Sequence, residues 1–319
     1  MKITSTDNTN FSGALNNKLL LKGLEKISDH GATFSAGVAL CASVALRPLA
    51  IKMTPKVEKE NKRYSIASSF ASGIAKFLTV AAVSVPLEKA VKYIEDNPNN
   101  FLKNNSGFVK DKNAFSFAAQ LLKLSAGIVT AIPKSLITIS LIPLLINGLY
   151  KQKSKENKKE ISFTGAIEKI AKPVSKYFNN GFVENFSKKY SSNSTNIARN
   201  ITVLTDFVLT GMYAVNTKRS KKIEPERKNN LIYNNTIATM LSVGLGLGVD
   251  NIVKKQGQGF MDKFVKANAL DLRLSKYIQG INILRPAVIF ALIYYGILPV
   301  ISNFTAQRIT DFNNKNKEN

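Results

Sequence analysis

Apolar blocks alternate with polar, Lys- and Asn-rich joints along most of the chain. Between Lys228 and Asp250 lie 21 consecutive uncharged residues, and between Arg285 and Arg308 lie 22. A bilayer core needs about 20 apolar residues of helix, so both blocks pass on length. Shorter uncharged blocks of 16 residues run from Gly31 to Leu46 and from Ser135 to Tyr150. Three more carry one ion each: Ser65 to Leu87 holds Lys76, Ala114 to Pro133 holds Lys123, and Asn200 to Thr217 holds Asp206. This pattern predicts spans or half-spans of helix, with a soluble bundle of long buried helices as the alternative.

The joints predict amphipathic helices. From Ala14 to Asp29, Lys18, Lys22 and Lys26 fall on one face while Leu20, Leu24 and Ile27 line another. Such a helix suits a membrane interface or its own protein's surface, the second being the commoner fate. Ile167, Ile170, Val174 and Phe178 form a similar stripe, and Phe260, Phe264 and Ala267 begin a third.

The chain also resembles itself. Lys56 to Lys89 aligns without gaps on Lys222 to Lys255, with Glu58/Glu224, Glu60/Glu226 and Lys62/Lys228 among the identities. Ser135 to Tyr150 aligns on Ala291 to Ala306 at a smaller offset, sharing Pro143/Pro299 and Asn147/Asn303. The expectation is an all-α, multi-pass helical membrane bundle built from two related units of three or four helices. Residues 1–30 would be a polar segment with an amphipathic helix, 31–150 and 198–307 the units, 151–197 a Lys/Asn/Ser-rich linker, and 308–319 a polar tail. Thr54 is expected as an N-cap with Pro55 as the first helical residue, and Glu58–Lys62 and Glu224–Lys228 as i,i+4 pairs on exposed helix starts. Pro225 fits that scheme less well. Four helices per unit would make the units parallel, and three would make them inverted.

Charge sharpens this picture. The chain carries 45 Lys and Arg against 21 Asp and Glu, a net +24, yet its mean hydropathy of -0.05 hides the blocks. Of the basic residues 37 are Lys and 8 are Arg, and they sit in patches between apolar blocks. Bidentate phosphate and base recognition favours Arg, so the expected partners are the lipid bilayer and anionic headgroups, with a protein partner or a second copy open, and not nucleic acid. One His and one Cys cannot furnish a metal cage, a Cys/His or Ser/His nucleophile is confined to His30 and Cys41, and one cysteine forms no internal disulfide. A non-enzymatic protein with no cofactor is expected, either a transporter-like or scaffold module, a peripheral membrane-binding protein, or a soluble basic binding protein. No secretory signal is evident at the N-terminus.

Ions within apolar helices are costly and often mark a solvated path. Lys134 follows Pro133 and Arg285 precedes Pro286, each within a long apolar block, so the two are candidates to converge on an anion-attracting cavity with Asp206 as counter-ion. Lys76 and Lys123 read as residues that snorkel to the interface, and His30 as a solvated helix end. Gly244, Gly246 and Gly248 lie inside a helical block and not in a strand-to-helix turn, which excludes a dinucleotide site. Gly244 and Gly248 instead give a GxxxG packing face.

The run Ile223, Glu224, Pro225, Glu226, Arg227, Lys228, with Asn10, Phe11, Ser12 and Gly13, resembles uncharacterised bacterial multi-pass membrane proteins that carry an acidic-Arg-Lys joint before a helix. The resemblance covers about 50 residues and implies a bacterial inner membrane but no function. The mitochondrial carrier signature is absent: Pro86 and Glu88 are followed by Val91 where that family needs a basic residue.

Overall fold

In a computed structural model that describes residues 17–104, 106–150 and 167–318, every described element is a helix. The motif Asn10–Gly13 and the charged tract 151–166 lie outside the described residues. The chain opens with α1 (Lys18–Asp29), capped by Asn17, whose side chain accepts from Leu19 N at 2.8 Å. Its buried Leu24 packs on Phe264 and Tyr277, so this basic amphipathic helix lies against the protein.

A helical hairpin follows. Helices α2 (Gly31–Val44) and α3 (Leu46–Met53) meet at Ala45, and α4 (Lys59–Asp96) returns alongside them. Thr54 ends α3, its Oγ1 donating to Ala50 O at 3.0 Å, and is therefore a C-cap residue instead of the expected N-cap. Lys56 has φ 54°, which turns the chain, and Glu58 takes the N-cap position of α4. Lys62 does not pair with Glu58; its ammonium donates to Lys52 O at 3.2 Å and ties the two ends of the turn. After α4 come two single-turn helices, α5 (Pro98–Phe101) and α6 (Gly107–Lys110).

Helices α7 (Lys112–Val129) and α8 (Ala131–Tyr150) are bent at Thr130, by 42° between Lys112–Val129 and Pro133–Ile146. Pro133 sits in the first turn of α8, where its missing N–H is no loss. The amphipathic α9 (Ile167–Phe178) buries Ala171 and Phe178 against Val91, Ile94 and Phe108, and α10 (Gly181–Tyr190) leads into a 3-10 segment, Ser191–Asn196.

A second hairpin is formed by α11 (Ile197–Arg219) and α12 (Pro225–Gln256). Ser220 closes α11, Glu224 is the N-cap of α12, and Pro225 occupies its first helical position, so this proline starts the helix and does not kink it. Lys228 donates to Lys218 O at 3.3 Å across this turn. Helix α13 (Gln258–Ala267) precedes α14 (Leu274–Ala291), a π-helical turn over Leu292–Ile297, and α15 (Leu298–Glu318). Pro286 lies inside α14, and the irregularity falls one turn later, in the π segment.

Direction can be read from side chains. The turns of both hairpins lie at one end of the bundle, where Arg227 Nη1 donates to Glu58 Oε2 at 2.7 Å and Asn61 donates to Gln307 at 2.7 Å. At the other end the starts of α2 and α11 share a cluster with Phe117, Leu124 and Ile283. Helices α2 and α11 are thus parallel, as are α4 and α12, and α14 and α15 run in the direction of α7 and α8.

Among the described residues, four segments are long and apolar enough to cross a membrane: Gly31–Met53, Lys59–Asp96, Pro225–Gln256 and Leu274–Phe312. The bent α7–α8 pair makes a fifth if counted as one span. Their surfaces carry apolar side chains, and polar ones lie in the interior. Leu49, Leu78, Val129, Leu144, Met240 and Ile297 are exposed, whereas Asn61, Ser65, Asn234, Ser242, Ser302 and Asn303 are buried. Three of these interior polar groups bind one another: Ser65 Oγ donates to Asn303 Oδ1 at 2.7 Å, and Asn234 Nδ2 donates to the same oxygen at 3.1 Å.

Candidate functional site

A cavity of about 130 Å³ lies within the bundle between the two hairpins, α8 and the end of α14. Its charged lining residues are Arg47, Lys76, Lys134 and Asp206. Small residues let the helices around it approach closely. Gly246 lies under the Phe290 ring, where a Cβ would come within 2.7 Å of two ring carbons, and Gly73 lies against Ser43. Hydroxyls complete the wall, among them Ser68, Thr138, Thr205, Tyr213 and Thr239. Tyr213 and Ser68 share a hydrogen bond at 3.0 Å, and Thr210 and Thr239 another at 2.7 Å.

The structure brings Lys134 and Asp206 to this cavity and leaves Arg285 outside it. Lys134 is 4% exposed, and its ammonium forms no hydrogen bond or ion pair with a described residue. Arg285 is held at the hairpin-start end, where its Nε donates to the fully buried Asp250 at 2.7 Å. Arg199 donates to the same carboxylate at 3.2 Å and to Asn251 at 2.6 Å. Asp250 therefore satisfies two guanidinium groups, and Arg285 is a structural cation that clamps α14 to α12.

Gly244 and Gly248 are exposed with open space beyond them, so the expected packing face is not used within the chain; Gly246 makes the close approach instead. Lys123, expected at an interface, is 3% exposed and pairs with Glu95 at 3.4 Å. His30 stands at the start of α2 with Nδ1 3.3 Å from Glu88 Oε2. Glu88, fully buried, accepts from Ala32 N at 3.1 Å, Thr33 N at 3.2 Å and Thr33 Oγ1 at 2.9 Å, capping the positive end of that helix.

Sequence reasoning passed over Arg47 and Asp250 and read Lys76 as an interfacial lysine. A signal existed for Lys76: it is the lone ion of its apolar block, as Asp206 is of another, and opposite lone ions in two such blocks are natural neighbours. Asp250 gave none, because it closes an uncharged block and reads as the polar end of a helix.

At the periphery, Asp29 joins α1 to α4 and α14, accepting from Lys92 at 2.5 Å and Lys276 at 3.0 Å. Burial works to raise its pKa, but the two ammonium groups prevail and hold the carboxyl below its ordinary value. Among the described residues no group of three or more His, Cys, Asp or Glu side chains is placed to hold a metal. Comparison with family models, with curated proteins and with solved structures gives no match.

Proposed function

We propose that the chain is a non-enzymatic, multi-pass helical membrane protein, of the bacterial inner membrane, that works as a transporter-like or scaffold module. The carrying observation is the exposure of apolar side chains along the long helices around an interior that holds buried polar groups and a charged cavity beside its apolar core. In water the opposite arrangement minimises free energy, whereas in lipid the polar groups must find partners inside. The single His and Cys support a binding role over catalysis. Exposed lysines at the bundle ends suit anionic headgroups as partners.

We further propose that 31–150 and 198–307 are two copies of one unit. Support comes from the helix limits, since α2–α3 runs 31–53 and α11 runs 197–219, each shifted by the 166 residues that align Lys56 with Lys222. The Lys62–Lys52 and Lys228–Lys218 bonds fall at the same shift. The N-caps agree in backbone conformation, with φ -56° and ψ 137° at Glu58 and φ -55° and ψ 131° at Glu224.

One observation favours a second reading, a bundle resting on the membrane surface through its basic amphipathic helices. Ile146, near the end of α8, packs with Tyr64 of α4, while α9 packs on α4 near Ile94. Those sites are roughly 45 Å apart along the helix. The intervening residues 151–166 include five lysines and two glutamates, a composition that hydrocarbon strongly disfavours. A tract of that composition is compatible with a bundle resting on the membrane surface.

Alkaline carbonate extraction of membranes from expressing cells separates the readings. Retention of the full chain in the pellet is expected for spanning helices, and complete release would establish the surface-bound form.

A further inference from the structure

Three cations and one carboxylate converge on the cavity, and none of the four is neutralised by a hydrogen-bonded ion pair among the described residues. Lys134 brings its ammonium from the first turn of α8, Lys76 from the middle of α4, Arg47 from α3, and Asp206 from α11. Arg47 is 7% exposed, and its guanidinium lies over the Tyr294 ring at 4.9 Å from the centroid. Stacking of that kind uses the face of the guanidinium and leaves its N–H edge to bond in plane. Its Nε is buried without a hydrogen-bond partner.

A buried ammonium and a buried guanidinium without partners are costly. The hydroxyls around them ease this cost, but the summed charge of the four ions remains positive. The sign of the field, the donor-rich chemistry and the small volume select an anion with several acceptor oxygens.

We propose that this cavity binds a small free oxyanion, of phosphate or sulfate size, between Lys76, Lys134 and Arg47, with Asp206 as the internal counter-ion that the ligand competes with. The proposal rests on the membrane reading only for its setting, since the cavity belongs to the bundle whether or not the bundle spans.

The test uses the full chain purified in a nonionic detergent and titrated calorimetrically with sodium phosphate and sodium sulfate at constant ionic strength in chloride. Saturable binding of at least one of them is expected. Lys134→Met and Lys76→Met should each weaken it at least ten-fold, and Lys263→Gln, an exposed change on α13, should leave it unaltered. Asp206→Asn should tighten binding several-fold, because it removes the competing negative charge; a merely structural role for Asp206 would give no gain. Should either methionine variant fail to fold, Lys134→Arg, which keeps the charge and should stay within a few-fold of the parent, and Asp206→Asn carry the test.

Absence of saturable binding in the parent protein would overturn the proposal. So would equal affinity in the parent, Lys134→Met and Lys76→Met, or unchanged affinity in Asp206→Asn. Retention of a copurified anionic lipid by these same residues, with no binding of free phosphate or sulfate, would overturn it as well. Carbonate extraction reads out independently: a protein that is released from membranes yet binds sulfate refutes spanning alone, and one that is retained yet binds neither anion refutes the site alone.

Discussion

A single buried carboxylate, Asp250, carries the charge of two arginines whose side chains are 12% and 13% exposed. Replacing it with Asn keeps the shape and removes the charge, leaving Arg199 and Arg285 facing each other without compensation. Asp250→Asn should therefore destabilise the protein by about 3–5 kcal/mol, read as a lowered thermal midpoint in detergent. An unchanged midpoint would mean that solvent reaches the guanidinium groups. Gly280 is constrained differently. A Cβ there would run into the backbone carbonyl of Leu24, which an α1 helix cannot easily move. Gly280→Ala is expected to cost roughly 1–3 kcal/mol through overpacking, whereas Gly244→Ala, with open space around it, should cost nothing measurable in the same assay. Equal effects at the two glycines would refute the close α1–α14 approach.

Among the elements, α1 is joined to the bundle partly by titratable groups. Its apolar contact is built on Leu24 with Leu21 and Ile27 beside it, while Asp29 reaches Lys92 and Lys276. The folded carboxyl has a pKa below the ordinary value of 3.8, so its stabilising contribution is complete above that value and is lost as pH falls through the lowered one. Docking of α1 should be independent of pH near neutrality and weaken only in strong acid. Asp29→Asn should reproduce the loosened state at neutral pH. Amide hydrogen exchange over 18–29 checks both, with faster exchange expected in the variant; protection equal to the parent's would show that the apolar contact alone suffices. At α4 the capping of α2 is a tertiary matter, because Glu88 comes from a distant part of the sequence to meet the Ala32 and Thr33 amides.

For the whole molecule the sharpest consequence is orientation. The turns at 54–58 and 220–224 lie at the same end of the bundle, joined by Arg227 and Glu58. If the protein spans a membrane, single cysteines placed at Lys56 and at Lys222 in a Cys41→Ser background should react with an impermeant thiol reagent from the same side of sealed vesicles. Labelling from opposite sides would require inverted units and would refute the parallel arrangement. The sequence leaves open three helices per unit with inverted units and four with parallel units, the basic joints leaning toward parallel, and the described helices α2 and α11, like α4 and α12, run parallel.

What the sequence determined by itself was the class of each element. Uncharged blocks of span length and lysines spaced four apart beside leucines are local facts, and helix formation follows from local spacing and hydrogen bonding. The helical fold, the long apolar segments, and the amphipathic character of α1 and α9 were legible for that reason. Lys134 and Asp206 were legible as costly ions in apolar surroundings, but their meeting was not. Which side chains share a space depends on helix rotation and crossing, and these are set by contacts between distant residues, such as Gly73 with Ser43 and Gly246 with Phe290. The tertiary structure alone gave Arg285 to Asp250, brought Lys76 and Arg47 to the cavity, and turned Gly244 and Gly248 outward. A charge buried in an apolar segment announces a need for a partner, and only packing decides who answers it.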